Sequence, residues 1–297
     1  MIEVGAVPEG VPTSVGDAVR VVTKAIGDAG VGDTPRLDAE LLVGHVSGLD
    51  RVGLRVSDDQ VLEPATWMTL DALVGRRLAG EPVAYLLGTA WFYGREFQVD
   101  RRVLVPRPET ELLVELALTH FADHATSSTF VDACTGSGCV AISIAAELEG
   151  RARVLATDIS AEALEVAAAN AARHGVDVDL RAGDLLAAVA DERRVAVVTA
   201  NPPYVDGADA EGLESGVRDH EPAVALFVPE EGVDAFFARL AREALGVLEP
   251  GGMLAVEHGS GQREVVQRAF HAAGFVEVRG VDDLAGIDRV VVGHASG

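Results

Sequence analysis

The stretch TFVDACTGSGC at residues 129–139 decides the fold of this chain. Its first five residues form a short β-branched and aromatic run that predicts a buried strand, and an alanine-rich helical pattern follows Gly138 at once. The glycines between them allow a tight turn and let a ligand approach the backbone, while the helix N-terminus presents free N–H groups. A strand, a glycine turn and a helix in this order predict that a nucleotide-like cofactor lies over the loop.

From Pro108 onward, short valine-rich runs alternate with alanine-rich helical patterns, which is typical of βαβ units and a parallel sheet. The runs predict seven strands, at Thr129–Ala133, Arg153–Thr157, Asp177–Arg181, Val195–Ala200, Met253–Glu257, Val276–Arg279 and Arg289–Val292. Helices are predicted near residues 110–119, 139–148, 161–173, 233–247 and 262–272. The fold class is therefore α/β, with a doubly wound, Rossmann-like sheet of seven strands.

The residues before this sheet follow a different pattern. From Ser14 to about Ala79, apolar residues recur at helical spacing and predict a small helical bundle; they include Val15, Ala18, Val19 and Val22, then Leu37, Leu41, Leu42 and His45. Thr34-Pro35 and Glu63-Pro64 predict helix starts. Residues 85–107 alternate aromatic or β-branched with polar residues, which predicts a hairpin. We therefore expect an N-terminal helical domain at 1–84, a β-hairpin connector at 85–107 and the Rossmann-like domain at 108–297.

The charge of the chain argues against nucleic acid as a direct partner. The 47 Asp and Glu residues outnumber the 24 Lys and Arg residues and give a formal charge of −23, so a phosphate-neutralising surface is absent on average. Cys134 and Cys139 supply neither a disulfide framework nor a four-ligand zinc set. The start MIEVGAVPEG lacks the pattern of a leader, and no apolar run reaches membrane-spanning length. We expect a cytoplasmic protein with no membrane partner.

Asp158 and the glycine loop together favour a nucleoside site. Asp158 closes the second strand region, 20 residues after Gly138, where a carboxylate can accept both hydroxyls of a ribose. The run GSGCVA at 136–141 also satisfies G-x-G-x-x-A, so the loop alone leaves a dinucleotide-dependent oxidoreductase open. The plain alternative is a glycine turn that serves only packing.

The segment Asn201-Pro202-Pro203-Tyr204 carries the most chemistry. It follows the strand predicted at Val195–Ala200, at the carboxyl edge of the sheet, where open α/β folds bind ligands. The segment Asn201–Tyr204 forms a corner of the chain. Neither of its prolines has an N–H, so the groups it offers to a ligand are acceptors: the Asn201 side-chain oxygen and the Pro202 carbonyl. Two fixed acceptors can hold a planar –NH2 group with its nitrogen toward an electrophile, and Tyr204 can stack on that group. A bare Asn-Pro turn is the plain alternative.

Together these motifs resemble class I S-adenosylmethionine-dependent amino-methyltransferases. Further stretches are similar to the HemK/PrmC family, N5-glutamine methyltransferases that act on peptide chain release factors. They are FYG at 92–94, VPRPETE at 105–111, DHEP at 219–222 with Ala225-Leu226, EHG at 257–259 with Gln262, and DRV at 288–290. The likeness spans about residues 85 to 293.

The resemblance implies a full set of site residues. S-adenosylmethionine would lie over Cys134, Thr135, Gly136, Ser137 and Gly138, with its ribose on Asp158, its adenine near Asp184 and Leu185, and Asn201 also in contact with it. Catalysis would rest on Asn201, Pro202, Pro203 and Tyr204, which would hold the glutamine amide of the Gly-Gly-Gln motif in class 1 release factors. The helical N-terminal domain would help to dock this protein substrate. One position departs from the family, which usually has glycine where this chain has Cys134.

The segment Arg107–Glu111 has two compatible interpretations. It can form a wall of the substrate pocket, with Leu104 or Val105 against the glutamine stem and Arg107 organising acidic neighbours. It can also open a helix, with Pro108 in the first turn and acidic residues at the positive end of the helix dipole.

Other function classes stay open at this point. A base –NH2 poses the same geometric demand, so an adenine-N6 or other nucleic-acid amino-methyltransferase is the alternative, although the acidic charge argues against it. An oxidoreductase leaves the Asn-Pro-Pro-Tyr segment unexplained, and a non-catalytic module would leave every motif idle. We expect no metal ion, because adjacent loop residues such as Asp219, His220 and Glu221 rarely converge on one ion. His258 and Cys139 receive no role, and we expect a monomer.

Overall fold

The computed structural model describes residues 14–124 and 129–297, and the chain forms two compact units. The first comprises the described residues up to Gly88 together with Leu213–His220; the second comprises the described residues of 89–212 and 221–297. Residues 1–13 of the predicted N-terminal domain lie outside the described residues. The domain divisions expected at residues 84 and 107 stay predictions.

The first unit is helical. Its helices are α1 (Val15–Ala29), α2 (Pro35–Ser47), α3 (Arg51–Val56), α4 (Pro64–Leu78) and α5 (Val83–Leu87), joined by a short helix that is α9 in chain order (Ser215–His220). Ser14 caps α1, since its hydroxyl accepts a hydrogen bond from the Asp17 N–H at 3.2 Å. Pro35 and Pro64 open α2 and α4, which confirms both predicted helix starts.

The buried face of α2 differs from the one that apolar spacing predicts. Leu37, Leu41 and His45 are exposed, whereas Asp38 is buried. The Asp38 carboxylate accepts a hydrogen bond from Arg77 Nε at 2.8 Å. Because this ion pair offsets the desolvation of the carboxylate, a charged residue can lie on the buried face of α2 while Leu37 and Leu41 are exposed.

The second unit contains a hairpin and the main sheet. Strands β1 (Thr89–Phe92) and β2 (Arg95–Gln98) pair antiparallel. The sheet strands are β3 (Thr129–Ala133), β4 (Arg153–Asp158), β5 (Asp179–Ala182), β6 (Val195–Ala200), β7 (Leu248–Glu257), β8 (Val276–Asp282) and β9 (Asp288–His294). The helices are α6 (Glu111–His124), α7 (Cys139–Leu148), α8 (Ala161–His174), α10 (Ala223–Leu226), α11 (Gly232–Val247) and α12 (Arg263–Ala273). None of the described helices combines the length and apolarity needed to cross a bilayer.

The strand order β5-β4-β3-β6-β7-β9-β8 confirms the seven-stranded, doubly wound sheet. The all-parallel expectation is wrong for β9, which runs antiparallel to both β7 and β8. Only residues 283–287 separate β8 from β9, and so short a link can join antiparallel strands but not parallel ones.

The sheet has a switch point between β3 and β6. These strands are neighbours, and the chain builds outward from them in opposite directions, to β4 and β5 on one side and to β7 on the other. Residues of β3 alternate between two buried clusters, with Phe130 in one and Val131 in the other, so both faces of the sheet are covered. Ligands of open α/β sheets bind at the carboxyl ends of strands where the order reverses, which is where the site was predicted.

Candidate active site

One cavity of the second unit opens at the carboxyl ends of β3, β4 and β6. It is lined by most of the predicted cofactor residues, namely Cys134, Thr135, Gly136, Ser137, Asp158, Asp184, Leu185 and Asn201. Of the Asn-Pro-Pro-Tyr segment, Asn201 and Pro203 are among the lining residues, and Pro202 and Tyr204 are not. The structure therefore brings the glycine loop, the acidic residue of β4 and the Asn201 side chain to one space.

The two glycines of the loop do different things. Gly136 has a φ of +55°, and a Cβ placed there would meet no atom within 4 Å, so its backbone leaves room for a ligand. Gly138 has a φ of +80°, and a Cβ there would lie 2.8 Å from Ile142 Cδ1 and 3.1 Å from Ala167 Cβ. Packing of α7 and α8 thus requires Gly138, whereas Gly136 serves the cavity.

Cys134 occupies a backbone conformation that favours glycine. Its φ is +57°, in the left-handed region that L side chains adopt at a cost. Burial raises the pKa of the Cys134 thiol well above its ordinary value. The thiol is thus neutral, and the position where the sequence resemblance implied glycine has a backbone conformation that strains any other residue.

Asp132 ties the loop to the sheet. It is buried and accepts hydrogen bonds from the hydroxyls of Thr135, at 2.6 Å, and Thr199, at 2.7 Å. Desolvation raises its pKa to about 6, although both hydroxyls favour the charged form. Thr135 N also donates to the Thr157 carbonyl at 3.0 Å. The sequence alone assigned Asp132 no role; of its partners, Thr135 lies in the loop after β3 and Thr199 lies on the neighbouring strand β6.

Asp158 is fixed by backbone donors at both carboxylate oxygens. Gly136 N donates to Oδ2 and Ser160 N donates to Oδ1, each at 2.9 Å. Burial raises the pKa of Asp158 above its ordinary value. A carboxylate oxygen has a second lone pair, so the anchored group still has acceptors for ligand hydroxyls at the cavity wall. Asp184 differs, because Arg239 Nη1 already donates to its Oδ2 at 2.9 Å.

The amide of Asn201 is held by a residue from another segment. Asn201 Nδ2 donates to Thr110 Oγ1 at 3.0 Å. Among the described residues, none donates to Asn201 Oδ1 or to the Pro202 carbonyl, so both predicted acceptors of the corner are free for a ligand. Thr110 itself is buried and touches the cavity.

Gln262 holds the other end of the Asn-Pro-Pro-Tyr segment. Its Nε2 donates to the Tyr204 carbonyl at 2.8 Å, and its Oε1 accepts from Gly259 N at 3.0 Å. A Cβ at Gly259 would lie 3.1 Å from Tyr204 Cδ2, so the tyrosine ring packs closely against this glycine. Burial raises the pKa of the Tyr204 hydroxyl, which is therefore neutral.

The connector supplies a wall of the cavity, as one interpretation expects. Leu104 and Arg107 line it, and Val105 does not. Arg107 Nη2 pairs with the buried carboxylate of Glu221 at 2.5 Å, and Val105 N donates to the same carboxylate at 3.3 Å. The helix-opening interpretation also holds, because Pro108–Thr110 forms a 3-10 turn that leads into α6.

Neither His220 nor His258 is among the residues that line the cavity. His220 belongs to the first unit, where its Nε2 lies 3.3 Å from the Ala79 carbonyl. His258 is buried, its Nδ1 lies 2.8 Å from the Gly259 carbonyl, and burial lowers its pKa. Within residues 14–124 and 129–297, no group of three metal-ligating side chains converges.

Comparison with known proteins gives two family matches and many relatives. Residues 17–88 match the PrmC N-terminal domain, and residues 109–214 match the methyltransferase small domain. The release factor glutamine methyltransferase of Bordetella pertussis is 42% identical over 260 residues, covering 88% of this chain and 95% of that protein. The enzyme of the same name from Geobacter sulfurreducens is 41% identical over 262 residues, covering 88% and 90%. A solved protein-(glutamine-N5) methyltransferase from Alicyclobacillus acidocaldarius is 28% identical, covers 68% of this chain and all of that one, and has a TM-score of 0.38.

Proposed function

This chain belongs to the family of release factor glutamine methyltransferases, and from that premise we propose that it methylates the side-chain amide nitrogen of a glutamine in a release factor. The methyl donor is S-adenosylmethionine. The glutamine is that of the Gly-Gly-Gln motif of class 1 release factors, and the helical N-terminal unit docks this protein. The enzyme acts as a cytoplasmic monomer without direct contact to nucleic acid.

One observation carries the proposal. Asn201, whose Oδ1 is a free acceptor, lines the same cavity as the glycine loop and Asp158. A carboxamide held by Asn201 would therefore lie beside whatever binds over that loop. An arrangement with the amide and the nucleoside on one cavity wall is what direct methyl transfer to nitrogen requires.

The cofactor side of the cavity fits a nucleoside. Gly136 leaves open space at its Cα, and Asp158 presents a carboxylate already fixed by two backbone N–H groups. Both features suit a ribose with two adjacent hydroxyls. When bound, S-adenosylmethionine supplies a sulfonium whose methyl carbon is electrophilic.

The residues of this chain act by orienting the substrate amide. An amide nitrogen is a weak nucleophile, because its lone pair is delocalised into the carbonyl. Asn201 Oδ1 and the Pro202 carbonyl can each accept one N–H of the substrate amide, which turns the nitrogen toward the methyl carbon. Positioning of this kind can contribute about 7–11 kcal/mol when the reacting atoms are held in a near-attack geometry.

The same acceptors favour the transition state. Methyl transfer from the bound donor would leave positive charge on the amide nitrogen, and its N–H groups would then be better donors. The hydrogen bonds to Asn201 and Pro202 strengthen at that moment. The proton then leaves the nitrogen for water, so a dedicated strong base is not needed.

The test is methylation of a defined glutamine. The purified chain is incubated with methyl-labelled S-adenosylmethionine and a class 1 release factor, and the product is digested and mapped by mass spectrometry. We expect label on the glutamine of the Gly-Gly-Gln motif and none on a release factor in which that residue is alanine. Absence of label on the native factor, or label on ribosomal RNA or DNA offered in parallel, contradicts the proposal.

A further inference from the structure

Thr110 is the group that holds the Asn201 amide. It ends the 3-10 turn Pro108–Thr110 and is 3% exposed, although it touches the cavity. Its Oγ1 accepts the hydrogen bond of Asn201 Nδ2 at 3.0 Å, across 91 residues of chain. The Thr110 hydroxyl also hydrogen-bonds the carboxyl of Glu257, the last residue of β7.

The hydroxyl of Thr110 has one proton and two lone pairs, so its two partners constrain each other. When Glu257 is ionised its carboxylate can only accept, and the Thr110 proton then goes to Glu257. Thr110 is then left with acceptors toward Asn201, which must turn its Nδ2 to Thr110 and its Oδ1 to the cavity. Glu257 is 3% exposed, and its Oε2 has no hydrogen-bond partner among the described residues.

We propose that Thr110 is a positioning residue that fixes which end of the Asn201 amide faces the substrate, with Glu257 as the acceptor of the Thr110 hydroxyl proton. The inference rests on the proposed function, because a substrate carboxamide –NH2 needs the Oδ1 end of the Asn201 amide as its acceptor. If the Asn201 amide turned over, its Nδ2 donors would face the N–H donors of the substrate. The acceptor that holds the nitrogen would then be lost without any change in the chain's backbone.

The decisive pair of variants is Thr110→Val and Thr110→Ser. Valine keeps the size and β-branching but removes the hydroxyl, whereas serine keeps the hydroxyl. We expect Thr110→Val to lower kcat for glutamine methylation about tenfold to hundredfold, with S-adenosylhomocysteine affinity nearly unchanged, and Thr110→Ser to recover most of the rate. A full rate in Thr110→Val, or an equal loss in both variants, overturns the proposal.

A second measurement reads the amide without any substrate. In ¹⁵N-labelled protein, the Asn201 side-chain amide resonance is assigned with Asn201→Asp, and its proton exchange is measured. We expect one slowly exchanging, downfield-shifted amide proton in the wild type and in Thr110→Ser, and its loss in Thr110→Val. Identical amide signals in all three proteins overturn the proposal.

The two measurements separate failure of this inference from failure of the proposed function. If the wild type methylates no release factor but the Asn201 amide signal still depends on the Thr110 hydroxyl, the substrate assignment is wrong and the positioning role stands. If the wild type methylates the factor and the Asn201 amide signal does not change when the Thr110 hydroxyl is removed, the positioning role is wrong.

Discussion

The two sides of the cavity are held in place by different means. On the cofactor side, backbone N–H groups of the loop after β3 tie it to β4: Thr135 N donates to the Thr157 carbonyl and Gly136 N donates to the Asp158 carboxylate. On the amide side, Asn201 and Tyr204 are held by side chains that lie 91 and 58 residues away, Thr110 and Gln262. The loop of the cofactor side is thus held through its own backbone N–H groups by the neighbouring strand, whereas Asn201 and Tyr204 depend on side chains that are distant in the sequence and that single substitutions can remove.

Asn201→Ala is the sharpest way to separate the two sides. The variant removes the orienting acceptor and leaves the glycine loop and Asp158 untouched. We expect kcat to fall about 10²-fold to 10³-fold, by analogy with removal of one transition-state hydrogen-bond partner, while S-adenosylhomocysteine affinity measured by calorimetry changes little. An equal loss in kcat and in S-adenosylhomocysteine affinity would mean that the cofactor side and the amide side are coupled and cannot be separated.

Buried carboxylates give each side its own dependence on pH. Burial raises the pKa of Glu257, behind the amide side, to about 7, and that of Asp132, behind the cofactor side, to about 6. A raised folded-state pKa means that the carboxyl's contribution to stability is complete below its ordinary pKa and is lost as the pH rises through the folded-state value. The charge of Glu109 also raises the pKa of Glu257, and the charges of Arg289 and Arg107 lower it. The net shift of this pKa is upward.

We therefore expect Glu257→Gln to gain stability relative to the wild type as the pH rises from 5 to 8. The gain should reach at most about 3 kcal/mol, because each pKa unit corresponds to about 1.4 kcal/mol. Urea unfolding at a series of pH values measures it. Asp132→Asn is the matched comparison, and its gain should be centred about one pH unit lower. A difference that does not vary with pH would contradict the assigned burial of either carboxyl.

Asp158→Ala tests the cofactor side alone. Loss of a charged acceptor for ribose hydroxyls should weaken S-adenosylhomocysteine binding about tenfold to hundredfold, in line with about 1.5–3 kcal/mol for hydrogen bonds to a charged group. The rate at saturating cofactor should fall much less. Asp184→Ala is the control, because the Asp184 carboxylate is already paired with Arg239. Equal effects of the two alanine variants would contradict the role of Asp158 as the acceptor for the ribose hydroxyls.

The same contrast explains how much the sequence could predict. The glycine loop and Asp158 were predictable because strand, turn and acid follow one another within residues 129–158. The Asn-Pro-Pro-Tyr corner was predictable as a set of acceptors, but Thr110 and Gln262 were not, because only the folded chain brings them to it. The antiparallel direction of β9, by contrast, was predictable, because residues 280–288 between the last two predicted strands are too few for a parallel crossover.

The smallest expected effect concerns Cys134, a cofactor-side residue at a position where the sequence resemblance implied glycine. Its φ of +57° costs an L residue about 1–2 kcal/mol relative to glycine. At ordinary positions alanine is more stable than glycine by about 0.5–1 kcal/mol, because glycine loses more backbone freedom on folding. At position 134 we expect the order to reverse, with Cys134→Gly more stable than Cys134→Ala by about 0.5–1 kcal/mol in urea unfolding. Both variants remove the thiol, so their difference isolates the backbone conformation. An alanine variant as stable as the glycine variant would show that the loop relaxes when substituted, and the cofactor side would then be no more rigid than the amide side.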